Sequence, residues 1–186
     1  EVKDPANDTT ILNQLGITPG KYLLFVGRFI PDKGVHLLIR AFESVATDMR
    51  LVLVGGSPNP GNYEQEIHKT EDSRIIFAGY VYGDGTNILM KNAYLYVQPS
   101  LIEGLSPVIL TVMGLGTPLL CSDIVENRFI TGENATHFIS GDSNSLAEKI
   151  NYCLDSPEKV RQLAKDGKTD ILARFNWDSV ASQYME

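Results

Sequence analysis

Three short apolar runs, each stopped by glycine, constrain this chain more than any other feature. They are Tyr22–Val26 before Gly27, Leu51–Val54 before Gly55 and Gly56, and Arg74–Ala78 before Gly79. A run with no regular polar face suits a strand covered on both sides, as in a parallel sheet. The same texture returns at Tyr94–Gln98 and Thr117–Cys121, and more weakly at Thr136–Ile139.

Helical patterns separate these runs. Val35, Leu38, Ile39, Phe42 and Val45 recur at helical spacing, with Asp32 as the expected N-cap. Further helices are expected near Tyr63–Lys69, Asn87–Asn92, Pro107–Leu115 and Ser143–Leu154, the last capped at its start. Another runs from Pro157 to about Phe175, and a short piece covers Trp177–Met185. Residues 1–20 read as a polar lead-in, in which Asn13, Leu15, Gly16 and Ile17 suggest a short docking helix. Residues 21–186 read as one domain, since 186 residues support one core. Alternating strands and helices predict an α/β fold, a doubly wound open parallel sheet of about six strands in the order 3-2-1-4-5-6. In that order strands one and four are neighbours where the winding reverses, and ligands bind outside their carboxyl ends.

Composition narrows the partners. The net charge of -7 supplies no basic field for nucleic acid or anionic lipid. No apolar run reaches the ~20 residues that cross a bilayer, and no signal peptide is evident. Cys121 and Cys153 have no metal-type spacing, so reduced, partly buried thiols are expected. His36, His68 and His137 stand alone and read as structural or solvated. The chain begins at Glu1 rather than Met, which suggests an excised piece of a longer protein.

The predicted switch point gathers chemistry. After strand one come Gly27, Arg28 and Lys33; after strand four come Ser100, Glu103, Gly104, Leu105 and Ser106. Each has a plainer reading: Arg28 and Lys33 as surface charges, Glu103 as a loop cap. Placed together, two cations and the amides of a helix start suit a diphosphate, and a carboxylate suits hydroxyls. That combination describes a nucleotide-activated sugar. The loop GRFIPDKG is not G-x-G-x-x-G, which disfavours NAD, and no GK[ST] loop is present. Paired acidic metal motifs are missing, so neither a metal nor another cofactor is implied.

The blocks FVGRFIPDKGVHLLIRAF, LVLVGG, RIIFAGYV, AYLYVQPSLIEGLSPVILTVMGLGTPLLCSDIVENRFI and FNWDSVASQY come in an order and spacing that resemble the C-terminal, donor-binding domain of group 1 (family four) retaining glycosyltransferases. These enzymes have the GT-B architecture of two Rossmann-like domains. The resemblance implies that Gly27, Arg28, Lys33, Leu105 and Ser106 hold the donor diphosphate, that Glu103 faces the donor sugar as the catalytic-site carboxylate with Gly104 beside it, and that Gly79, Tyr80 and Val81 lie near the base. A second family carboxylate that binds ribose should stand where this chain has Thr111, which offers one hydroxyl and no charge. The acceptor-binding domain, with its catalytic-site histidine, is absent from this chain.

The resemblance therefore implies a domain that binds a nucleoside-diphosphate sugar and is inactive alone. It belongs to an enzyme that glycosylates an acceptor hydroxyl in surface-polysaccharide or glycoconjugate synthesis. The implied setting is the cytoplasm or the cytoplasmic face of a membrane, with any peripheral membrane association made through the absent domain. Thr111 keeps a rival open, a non-catalytic partner subunit with a degenerate donor site.

Overall fold

The computed structural model describes residues 9–57 and 61–175. Among them, β1 (Tyr22–Arg28), β2 (Arg50–Gly56), β3 (Ile75–Gly79), β4 (Leu95–Gln98), β5 (Leu119–Ser122) and β6 (Thr136–Phe138) form one sheet in the order β3-β2-β1-β4-β5-β6. Every pairing is parallel. The helices are α1 (Thr10–Gln14), α2 (Val35–Glu43), α3 (Asn62–Ile67), α4 (Asp84–Asn92), α5 (Pro107–Leu115), α6 (Val125–Thr131), α7 (Ser143–Asp155) and α8 (Pro157–Arg174), with a 3-10 turn at Pro31–Lys33.

Strand pleating divides the core into two layers, because successive side chains point to opposite faces. Leu23, Phe25, Leu51, Leu53, Leu95 and Val97 pack with Leu38 and Phe42 of α2 and Leu146 and Ile150 of α7. Tyr22, Leu24, Val52, Val54, Tyr96 and Cys121 pack on the other face with Leu89 of α4, Ile109 and Val112 of α5 and Ile171 of α8. Leu12 and Ile17 join this second layer, so α1 docks as the Asn13–Ile17 pattern suggested. The β3 run is not covered on both faces: it forms a sheet edge, and Ile75–Ala78 are only half-buried.

Several local expectations are corrected. Asp32 does not cap α2 but lies in the 3-10 turn, and Gly34 holds the N-cap position at φ 66°. A Cβ on Gly34 would sit 2.1 Å from the Pro99 carbonyl oxygen, so this glycine is fixed by close approach as well as by its left-handed backbone. The cap of α7 is Asp142 rather than Ser143; its carboxylate accepts from the amides of Asn144 at 2.8 Å and Ser145 at 3.1 Å. Helix α6 was not anticipated. It buries Asn127, Ile130 and Thr131 and exposes Val125 and Phe129, which inverts the usual hydrophobic signal. The expected piece at 177–185 lies outside the described residues.

Candidate functional site

The crevice begins where two strands part. Strand β1 pairs with β2 along its full length, from Tyr22↔Arg50 to Arg28↔Gly56. Its pairing with β4 covers only Leu23↔Leu95 and Leu24↔Tyr96. Beyond that point Val26 takes hydrogen bonds from a side chain instead of the ladder. The Tyr96 hydroxyl accepts from the Val26 amide at 3.3 Å and lies 3.1 Å from the Val26 carbonyl oxygen. Burial raises the Tyr96 pKa, so the hydroxyl remains a proton carrier in this network.

The same hydroxyl lies 3.1 Å from Gln98 Oε1. The Gln98 amide then donates to Ser100 Oγ at 2.9 Å and to Glu103 Oε1 at 2.7 Å. Ser100 Oγ donates to that carboxylate oxygen at 2.6 Å, and Lys33 Nζ reaches it at 2.7 Å. Glu103 Oε1 thus receives three donors, two from the end of β4 and the loop after it and one from across the crevice. Its side chain is 7% exposed and that of Lys33 19%. Glu103 Oε2 has no partner among the described residues. It is not sealed from solvent, unlike the unpartnered Asn127 Oδ1 and Thr136 Oγ1.

The backbone joins the two loops as well. The Leu101 amide donates to the Asp32 carbonyl at 2.8 Å, beside the Gly34–Pro99 approach. Ser122 Oγ donates to the Ser100 carbonyl at 2.5 Å, and Asn127 of α6 donates to Ser122 Oγ at 3.0 Å and to its carbonyl at 3.1 Å. The sequence-predicted loops therefore face one another, and Lys33 and Glu103 touch. Arg28 differs: it is exposed at the end of β1 and makes no hydrogen bond or ion pair with any described residue.

The remaining expected residues lie on α5, its preceding loop and the end of β3. Gly104 and Leu105 are exposed, while Ser106 is buried at the N-cap position of α5, with Pro107 next. Thr111 Oγ1 donates to the Pro107 carbonyl at 3.1 Å, so its proton is engaged and only its lone pairs remain. Tyr80 follows Gly79 at the end of β3 and is 51% exposed. Its ring lies against Gly56, the register partner of Arg28, where a Cβ would come within 3.1 Å. Tyr82 stacks on Tyr80 at 6.1 Å. Val81 is half-buried and packs against the core layer that holds α4.

Gln98, Tyr96, Ser122 and Asn127 were not singled out from sequence. For Gln98 and Ser122 the signal was present: polar groups at the carboxyl ends of otherwise apolar strands, where a buried amide or hydroxyl requires a partner. The histidines occupy structural settings. His36 Nδ1 lies 2.9 Å from the Tyr63 hydroxyl, His137 Nε2 lies 2.9 Å from Thr131 Oγ1, and His68 stacks on Phe77 at 4.0 Å. Both cysteines are buried, and burial pushes the Cys121 thiol up to about 12. Two hollows flank the fold: a cleft of about 580 Å³ between α2 and α3, and one of about 210 Å³ lined by Gly104, Leu105, Val125, Glu126 and Phe129.

A sequence model described as glycosyl transferases group 1 matches residues 7–170. The chain belongs to the group 1 glycosyl transferases. Relatives include an alpha-maltose-1-phosphate synthase of Mycolicibacterium smegmatis, 25% identical over 98% of this chain and 51% of that protein. Spore coat protein SA of Bacillus subtilis is 27% identical over 93% of this chain and 50% of its own length. Among solved structures, the Anabaena protein HepE in complex with UDP superposes with a TM-score of 0.86 at 24% identity, covering 95% of this chain and 50% of HepE. The chain thus spans about half the length of these relatives. Among its described residues, no helix is long and apolar enough to cross a membrane.

Proposed function

We propose that this chain is the donor-binding half of a glycosyltransferase that uses a nucleoside-diphosphate sugar. The observation that carries the reading is the meeting of Lys33 and Glu103 across the β1/β4 crevice, with Arg28 unpaired at its rim. Arg28 presents a planar guanidinium to the diphosphate, and Lys33 and the first-turn amides of α5 add donors. Glu103 Oε2 accepts from a sugar hydroxyl. Tyr80, with Gly79 and Val81, borders the base. In the reaction, the anomeric carbon–oxygen bond to the diphosphate breaks with its electron pair on the leaving oxygen, where these cations stabilise the charge. The acceptor hydroxyl bonds to that carbon on the same face, with retention, and its proton passes to the departing diphosphate oxygen.

HepE has also been solved with UDP-glucose, which supports a nucleotide sugar as the ligand class. The proposed chemistry needs no metal or other cofactor. In this reading an acceptor-binding domain outside this chain completes the enzyme, and the product is a polysaccharide or other glycoconjugate made on the cytoplasmic side. Calorimetry with uridine, guanosine, adenosine and thymidine diphosphate sugars tests the reading: the expected result is weak binding of one class and no transfer by this chain alone. Silence across the panel, with the longer protein also inactive, overturns it.

A second reading, a non-catalytic partner with a degenerate donor site, is favoured by Thr111, whose hydroxyl is engaged by Pro107. Thr111→Glu in the longer protein separates the two. Activity of the natural protein excludes decay, whereas inactivity that the exchange leaves unchanged favours the partner.

A further inference from the structure

We propose that Gln98 and Ser100 are positioning residues: they hold Glu103 in place when Lys33 leaves it for a phosphate, and they leave Oε2 as the oxygen that reads the sugar. The inference rests on the nucleotide-sugar reading above.

Three donors converge on Glu103 Oε1, but they differ in mobility. Lys33 is on the opposite loop and ends a flexible stem, and it retains 19% side-chain exposure. Gln98 is the last residue of β4, 2% exposed, and Ser100 is fully buried two residues later. Were Lys33 the sole partner, its departure would strand a carboxylate that is 7% exposed, an unfavourable state for a desolvated charge. With Gln98 and Ser100 remaining, Oε1 keeps two short hydrogen bonds at 2.7 and 2.6 Å. Lys33 is then free to move without moving the carboxylate.

The orientation of Gln98 is set from both ends. Its amide nitrogen faces Glu103 because a flipped amide would place oxygen against a carboxylate. Its Oε1 lies 3.1 Å from the Tyr96 hydroxyl, which is in turn anchored on Val26 of β1. Ser100 is held through its carbonyl by Ser122, itself held by Asn127. The carboxylate is thereby referenced to β1, β4, β5 and α6, and only Oε2 is left for a ligand hydroxyl.

The test compares each bare nucleotide with its sugar: UDP with UDP-glucose, GDP with GDP-mannose and ADP with ADP-glucose, by calorimetry on this chain. The wild type is expected to bind one sugar nucleotide about tenfold or more tightly than its bare diphosphate. Gln98→Met, which keeps volume and removes the donor, is expected to abolish that increment while the bare diphosphate binds within about twofold of wild type. Ser100→Ala should reduce the increment in the same direction, and it serves as the second variant should Gln98→Met fold poorly. Loss of bare-diphosphate binding alongside the sugar increment indicates a merely structural role and overturns the proposal. So does a wild type without a sugar increment, or retention of the increment in both variants; each leaves the diphosphate reading standing. A wild type that binds none of the six compounds overturns this proposal, and with the longer protein also inactive it overturns the nucleotide-sugar reading as well.

Discussion

The two walls of the crevice are built on opposite principles. The β4 wall is saturated: Gln98, Ser100 and Glu103 bond to one another, and Ser122 and Asn127 brace them from behind. The β1 wall ends in Arg28, an exposed cation with no described partner, and in Lys33, which leans across to the other side. A wall with its hydrogen bonds already made selects by fixed geometry. A wall of cations on long side chains attracts by field and adapts those side chains to what arrives. The contrast suits a ligand with one part read for stereochemistry and another recognised mainly by charge.

The comparison breaks most severely at the joint between the walls. Gly34→Ala forces a Cβ toward the Pro99 carbonyl at a positive φ. It is expected to cost about 2 kcal/mol or more, visible as a melting temperature lowered by about 4 °C or more. Unchanged stability would show that the loops are not tied there. Lys33→Met should come next, at about 1–2 kcal/mol, because Glu103 loses its counter-charge and keeps two neutral donors. Denaturant unfolding measures it, and a neutral outcome would mean that the saturated wall does not need the cation.

Arg28→Ala sharpens the contrast from the other side. Stability should change by less than about 0.5 kcal/mol, since the side chain is exposed and unpartnered. Binding of a nucleoside diphosphate should weaken about tenfold or more in calorimetry. A stability loss without a binding loss would place Arg28 among structural residues.

The smallest effect lies away from the crevice. Burial, and then Arg128, lowers the His137 pKa from its usual 6.5. The unfolded chain therefore binds a proton more readily, and stability falls as pH drops below that value toward the folded-state pKa. Thermal melts of His137→Asn against wild type should show less acid sensitivity in the variant. An identical slope would assign the sensitivity elsewhere, with His36 the next candidate through burial and Arg40.

Sheet order was legible because apolar runs ending in glycine leave few ways to wind. Gly55 shows the constraint directly: at φ 126°, a Cβ there would sit 1.9 Å from the Gly27 carbonyl oxygen. The bounds of α5 were readable from Pro107 at its start and Gly116 after its end. Helix α6 was hidden because its buried face carries two polar residues, Asn127, which braces Ser122 behind the site, and Thr131, which pairs with His137. The meeting of Lys33 with Glu103 was legible only as opposed loops. Their bond depends on the parting of β1 from β4 after Leu24, which local sequence does not encode. Volume is also a poor guide here, since neither Lys33 nor Glu103 lines the 580 Å³ cleft between α2 and α3.

The seating of Gly34 on Pro99, with the Leu101 amide on the Asp32 carbonyl, has a mechanical consequence. These contacts act as a stop that prevents the jaws from spreading at their root. A ligand too broad for the gap cannot gain entry by prying the strands apart, because the backbone on both sides would have to yield together. Adjustment falls to the reach of Arg28 and Lys33, so the site behaves as a rigid gauge with two flexible fingers rather than as a hinge.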